Sequence, residues 1–143
     1  MRQAMAVGIL VALTTAVAAQ NIEVIEARQK IYKGFGSATK PIAAMLKGEA
    51  PYDPAAVKTA LTTYAEGARK LPDLFPDDSK KGHDTEALPA IWDNKQDFNP
   101  RFAKLAEASE AAMTAITDEA SFKATMPKVL GQCGGCHKQY RAK

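Results

Sequence analysis

The sequence predicts an all-α protein, an antiparallel up-down-up-down four-helix bundle. Apolar residues recur at spacings of three and four, no stretch alternates apolar and polar residues as a strand does, and alanine is abundant. The chain has 143 residues, of which 46% are hydrophobic and 24% charged. It is long enough for one hydrophobic core but too short for two domains of ordinary size. An irregular all-helical domain with different packing is the alternative, because topology is seldom readable from one sequence.

Residues 1–19 are predicted to be a secretory signal peptide. Arg2 precedes an apolar run, and the Ala-Val-Ala of residues 16–18 supplies small residues for cleavage. A membrane anchor is the alternative, but the apolar run is short for a bilayer span and contains two threonines. Cleavage after residue 19 would leave residues 20–143 as one domain in the bacterial periplasm, with no membrane attachment.

The overall charge argues against a nucleic-acid partner. Lys and Arg total 19 and Asp and Glu total 16, for a net charge of +3. This excess is too small and too scattered to form a basic binding face.

The first two helices are predicted at about 22–47 and from Pro54, with Asp53 as the N-cap of the second. Pro41 is expected to kink or break the first helix. The inward stripe of the first helix is predicted to contain Ile25, Arg28, Tyr32, Phe35, Thr39, Ile42 and Leu46.

A long loop is predicted from Leu71 to Thr85, because this stretch contains two prolines, a glycine and several charges. The third helix is predicted at 88–116, with a bend at Pro100. The fourth is predicted at about 119–140 and begins after Asp118 as its N-cap.

The chemistry is concentrated near the C-terminus, where Cys133, Cys136 and His137 form C-x-x-C-H, the attachment signature of c-type haem. Residues three apart share a helix face, so both thiols could reach vinyl groups along one porphyrin edge. His137 could then ligate the iron. Both cysteines continue an inward stripe that also contains Phe122, Met126, Val129 and Tyr140. A haem attached there would occupy the core.

Three other roles for the two cysteines fit the sequence less well. A disulfide would close a very small loop and stabilise little. A thioredoxin-type redox site needs a preceding strand and a helix N-terminus, whereas these cysteines lie near a helix end. A zinc site needs four ligands, and His83 is the one additional histidine.

The signal pattern, the four helices and the C-terminal motif resemble the cytochrome c′ family of class II c-type cytochromes. Arg28-Gln29, the Leu-Pro-Ala-Ile-Trp of residues 88–92, and Tyr140-Arg141 extend the resemblance over the mature chain. The resemblance implies a left-handed antiparallel bundle, often a homodimer, that holds one covalent haem c.

The resemblance also implies further haem-binding residues. Arg28 and Gln29 match positions around the haem, and a propionate would give a buried Arg28 the anionic partner that it needs. Arg28 could instead reach solvent or pair with a protein carboxylate. Thr85 and Glu86 match a haem-edge position. Arg141 could tune the His ligand electrostatically or only complement the helix C-terminus.

The sixth iron position decides between two kinds of cytochrome. In the resembling family the residue four after the helix-one Arg faces the distal side of the iron, and low-spin relatives have Met there. This sequence has Tyr32, and Met45 lies thirteen residues further on, roughly 20 Å at helical rise. We therefore expect five-coordinate, high-spin iron held by His137, with Tyr32 crowding the vacant face.

The expected function is electron transfer with a redox partner protein, binding of small diatomic gases such as NO or CO, or both. A low-spin His/Met electron carrier of the same family is the alternative. Enzyme activity is not expected, because peroxidase chemistry favours a distal acid–base residue and the sequence offers only His83 in a loop. A thiol oxidoreductase without haem is a further alternative.

Overall fold

The computed structural model describes residues 21–143, so the signal peptide predicted at 1–19 lies outside the described residues. The described chain forms five α helices: α1 (Ile22–Lys47), α2 (Pro54–Lys70), α3 (Ala90–Asp93), α4 (Lys95–Ala115) and α5 (Glu119–Tyr140). The four long helices pack in chain order, α1 on α2, α2 on α4 and α4 on α5. The predicted four-helix bundle is confirmed.

Helix α1 begins and ends through local backbone chemistry. The side chain of Asn21 accepts a hydrogen bond from the backbone N–H of Val24 at 3.2 Å, which satisfies a free donor of the first turn. After Lys47 the chain turns at Gly48, whose φ of 76° is left-handed and suits glycine. The helix continues through Pro41 without the predicted break.

Helix α2 starts as predicted, since the Asp53 carboxylate accepts hydrogen bonds from the N–H groups of Ala55 and Ala56. It passes directly into the long connection that the prolines and charges predicted. This connection contains two short 3₁₀ turns, Leu71–Leu74 and Asp77–Ser79.

The third predicted helix, 88–116, is wrong in one respect, because the chain forms two helices separated at Asn94. The backbone there leaves helical geometry, with φ −139° and ψ 52°. The N–H of Asn94 donates to the carbonyl of Ala90, which ends α3. The carbonyl of Asn94 accepts from the N–H of Phe98, which begins α4. Asparagine favours such cap positions over helix interiors. The interruption therefore precedes Pro100, which lies inside α4.

Helix α5 starts at a capping box, in which Asp118 and Ser121 satisfy each other's backbone N–H groups. The helix runs through Pro127 to Tyr140. Its inward stripe is buried as predicted, and both cysteines are partly buried against the same core. The buried stripe of α5 consists of Phe122, Met126, Val129 and Tyr140.

No helix among residues 21–143 is long and apolar enough to cross a membrane.

Candidate functional site

The two cysteines lie side by side on the inner face of α5, three residues apart. Both are free thiols and both are about half-buried. Burial raises the pKa of each thiol above its usual range. The two cysteines therefore lie against the interior of the bundle as neutral thiols on one helix face, which is the arrangement that the C-x-x-C spacing predicted.

His137 lies on the outer side of the same helix turn and is exposed. Partial burial lowers the pKa of its imidazole, the Arg141 cation lowers it further, and Glu86 acts in the opposite direction. Arg141 donates to Glu86, with Nε 2.5 Å from Oε2. Arg141 thus lies close enough to His137 to act on it electrostatically, and it is paired with a carboxylate.

The segment before α3 pairs with the end of α5. Leu88 N–H donates to the carbonyl of Tyr140 at 3.0 Å, and Ala142 N–H donates to the carbonyl of Glu86 at 2.8 Å. These two hydrogen bonds place Glu86 beside the C-x-x-C-H turn, although the two are more than 45 residues apart in the sequence. The neighbouring Thr85 points to a different partner, Arg28.

Arg28 is almost fully buried, with 2% of its surface exposed. Its Nη1 donates to the carbonyl of Leu74 at 3.0 Å and to Oγ of Ser79 at 2.8 Å. Its Nη2 donates to the carbonyl of Ser79 at 2.8 Å and to Oγ1 of Thr85 at 2.9 Å. The guanidinium also lies over the ring of Phe75, 4.7 Å from the centroid.

These partners of Arg28 are all neutral. Within residues 21–143, no carboxylate forms an ion pair with Arg28. Burial lowers the pKa of the guanidinium, which nevertheless stays charged at neutral pH. Arg28 therefore clamps the long connection to α1 and keeps a positive charge without an acidic partner. Next to it, Gln29 is exposed at its side-chain amide and donates to the carbonyl of His83 at 2.9 Å.

Tyr32 lies one turn after Arg28 on the same face of α1. Its ring is half-buried against the core and meets Phe35 edge-to-face, with centroids 5.9 Å apart. Burial raises the pKa of its phenol, the nearby groups of Cys136 and Cys133 act in the same direction, and the Arg28 cation acts against them. Tyr32 therefore packs against the same core as the two thiols, and it is a neutral phenol at physiological pH.

Three methionines lie in residues 21–143. Met45 is buried at the α1–α2 turn, where its sulfur accepts a hydrogen bond from the N–H of Asp53 at 3.1 Å. Met126 is fully buried in the core, and Met113 is exposed. Met45 thus has a structural partner away from the thiols, as the spacing along α1 indicated.

Sequence reasoning missed a polar network on α4 and α5. Tyr140 donates to Asp97, which also accepts from Arg101. The i,i+4 spacing of Asp97 and Arg101 was the available signal, because such pairs commonly bond along one helix face. Ser79, a fully buried partner of Arg28, was also missed, and nothing in its sequence context distinguished it from other loop serines.

The comparisons with known proteins address the chain as a whole. The family model described as Cytochrome C′ matches residues 23–141, nearly all of the described part. The chain belongs to the cytochrome c′ family. This membership confirms the resemblance that the C-terminal motif and Arg28-Gln29 indicated.

Individual relatives agree with the family match. The chain is 53% identical over 134 residues to cytochrome c′ of Rhodopseudomonas palustris, covering 94% of this chain and 92% of the relative. It is 43% identical to a cytochrome c-556 of Agrobacterium tumefaciens, covering 82% and 94%. A solved structure of Rhodopseudomonas palustris cytochrome c′ is 56% identical, with a TM-score of 0.82 over 84% of this chain and 96% of that one.

Cytochromes c′ carry covalent haem c, and the residues of this chain fit that group. Two free, neutral thiols face inward three residues apart, and an imidazole follows the second at once. This donor set supplies two thioethers and one axial nitrogen. Helices α1 and α5 also pack on each other far less than the neighbouring helix pairs do. The protein is therefore a haem protein of electron transfer.

Proposed function

We propose that this protein is a periplasmic, non-catalytic cytochrome whose single haem iron is held by His137 on one side and is five-coordinate and high-spin. It would transfer electrons to a redox partner protein and bind diatomic gases such as NO or CO. The bound haem supplies a one-electron ferric/ferrous couple and an open iron position. Cys133 and Cys136 would form the two thioethers, and His137 would supply the nitrogen ligand of the iron.

The position of Tyr32 is the observation that carries this proposal. Tyr32 packs against the same core as the two thiols, whereas His137 is exposed. The phenol thus lies toward the core and the imidazole toward solvent, which supports different sides of the haem for the two groups. A neutral phenol is a poor iron ligand, and the half-buried ring beside Phe35 leaves an apolar and crowded approach. Such a face would admit small gases and exclude larger or strongly polar ligands.

The remaining site residues have proposed roles around the haem. Arg28 keeps a buried positive charge without an acidic partner, which favours a nearby propionate. Thr85 accepts a hydrogen bond from Arg28, and Gln29 donates to the carbonyl of His83. Both would lie near the same edge of the haem as Arg28. Glu86 and Arg141 would act on the His137 side, where their ion pair would set the local charge.

Optical spectra of the purified holoprotein test the spin state directly. We expect a high-spin ferric spectrum, and a shift of the ferrous spectrum when CO is added. The Tyr32→Met variant should become low-spin, because a thioether would then face the iron. The matched control, Tyr32→Phe, should stay high-spin, because a phenyl ring offers no ligand. A Tyr32→Met variant that stays high-spin would show that position 32 does not face the iron.

A low-spin His/Met carrier is the second candidate, and the relatives named cytochrome c-556 favour it. It predicts a low-spin spectrum in the wild-type protein and no CO binding. Substitution of Met45, Met113 and Met126 in turn would then identify the ligand by the loss of that spectrum.

We also propose cleavage of residues 1–19 on export and assembly of the mature protein as a homodimer. Mass spectrometry of periplasmic material gives both the new N-terminus and the added mass of haem, and sedimentation gives the oligomeric state. An N-terminus at Met1 would contradict export through this signal.

A further inference from the structure

Arg101 of α4 contacts the haem-attachment turn of α5. Its Nη1 lies 3.4 Å from the carbonyl oxygen of Gly135, which stands between the two cysteines. Its Nη2 donates to Oε1 of Gln139 at 2.8 Å, one turn further along α5. A cation from the neighbouring helix is therefore held along the flank of the C-x-x-C-H motif.

Two other residues hold this cation in place. Asp97 accepts from Nε of Arg101 at 2.9 Å and lies 2.7 Å from Nη2. The buried Tyr140 donates its hydroxyl to the same carboxylate oxygen at 2.5 Å. The guanidinium also lies over the Tyr140 ring, 5.3 Å from the centroid. Asp97, Arg101 and Tyr140 are called the α4 brace below.

Both charges of the brace act on the second cysteine. Arg101 reaches the carbonyl of Gly135, the residue before Cys136, and Asp97 is bonded to the same guanidinium. The sulfur of Cys136 thus lies in the field of both groups, with opposite signs. That sulfur would become a thioether of the haem, so the same two charges would act on the prosthetic group.

We propose that Arg101 and Asp97 set the reduction potential of the haem attached at Cys136, and that Tyr140 positions them. Reduction of ferric to ferrous haem adds one electron, so a nearby cation favours the reduced form and a nearby anion favours the oxidised form. Because the pair is neutral overall, removal of either member leaves one uncompensated charge beside the motif. The two removals must then shift the potential in opposite directions.

The test is a potentiometric titration of the holoprotein with mediator dyes, followed by its optical spectrum. Arg101→Gln should lower the ratio of ferrous to ferric haem at a fixed potential by about threefold, or roughly 30 mV for a one-electron couple. Asp97→Asn, which keeps the shape of the side chain, should raise the ratio by a similar factor.

The matched control is the ion pair of Glu119 and Lys123 at the start of α5, with its atoms 2.6 Å apart. Lys123 lies thirteen residues before Cys136, roughly 20 Å along the helix, beyond the screening length at physiological salt. Lys123→Gln should leave the potential unchanged.

A purely structural brace would behave differently. If Arg101→Gln and Asp97→Asn both lower the potential, or neither changes it, the brace acts only by keeping water from the haem or by packing, and the proposal is overturned. If Arg101→Gln does not accumulate as holoprotein, Arg101→Lys is used instead, since lysine keeps the positive charge but lacks the planar set of donors of the guanidinium. The reduction potential of the Arg101→Lys variant should stay near the wild-type value. A decrease equal to that expected for Arg101→Gln also overturns the proposal.

Discussion

Gly67→Ala should weaken the packing of α1 on α2, because side chains of α1 lie directly against Gly67. A Cβ atom added there would lie 2.7 Å from Cζ of Phe35 and 2.9 Å from Cγ2 of Ile31, and closer still to Cε1 of Phe35. The Phe35 ring cannot move away freely, since it meets Tyr32 and Tyr64 edge-to-face at centroid distances of 5.9 and 5.7 Å.

Two opposing effects set the magnitude of this change. Alanine in a helix interior is more stable than glycine by about 0.5–1 kcal/mol. Forcing extra volume into a packed contact costs about 1–3 kcal/mol. The steric cost should therefore win by about 1–2 kcal/mol, which lowers the melting temperature by roughly 4–8 °C for a chain of this size.

The assay is urea and thermal unfolding of the holoprotein, followed by circular dichroism. Gly36→Ala is the matched control, because Gly36 lies on α1 with nothing within 4 Å of its added Cβ, so this variant should be slightly more stable than wild type. Adding Phe35→Leu to Gly67→Ala should recover part of the loss, because the smaller side chain makes room. If Gly67→Ala is as stable as its Gly36 counterpart, the contact at Gly67 is not tight and the reasoning fails.

Three further predictions concern stability. Arg28→Met should lower the free energy of unfolding by about 2 kcal/mol, because buried oxygens of the long connection lose their hydrogen-bond donors. Arg28→Lys should be similarly destabilised, because an ammonium group cannot replace the several donors of the guanidinium, and urea titrations measure both variants. Hydrogen bonds from the backbone and hydroxyl of Ser121 lower the pKa of Asp118, so the stability that this carboxylate contributes at neutral pH is lost as the pH falls below about 4. Asp118→Asn should remove that part of the pH dependence, and an unchanged pH profile of unfolding would contradict this. Asp53→Ala should cost about 1 kcal/mol by removing the cap of α2, whereas Asp53→Asn should cost little in the same assay.

The bounds of most helices could be read from the sequence because they depend on neighbouring residues. The predicted helices at 22–47 and 119–140 coincide with α1 and α5, and Asp53 and Asp118 cap as expected. Each of these signals depends only on residues up to four positions away in the sequence. The break at Asn94 was missed because its sequence context is compatible with helix, and Pro100 was the stronger local signal.

The haem motif could be predicted for the same reason. Cys133, Cys136 and His137 are adjacent in sequence, and helix geometry alone places the thiols on one face. The partners of Arg28 could not be predicted in this way. Ser79 and Thr85 lie more than 50 residues away in a connection without periodic pattern, and only packing of the whole bundle brings them to the guanidinium.

The sequence by itself determined the four long helices, the haem-attachment motif and the family, since each is encoded in short-range spacing. The tertiary structure decided which charges surround that motif. It paired Arg141 with Glu86, placed Arg101 and Asp97 beside Cys136, and buried Arg28 among neutral oxygens. Electrostatic surroundings depend on distances between residues far apart in the chain, and those distances exist only once the helices have packed.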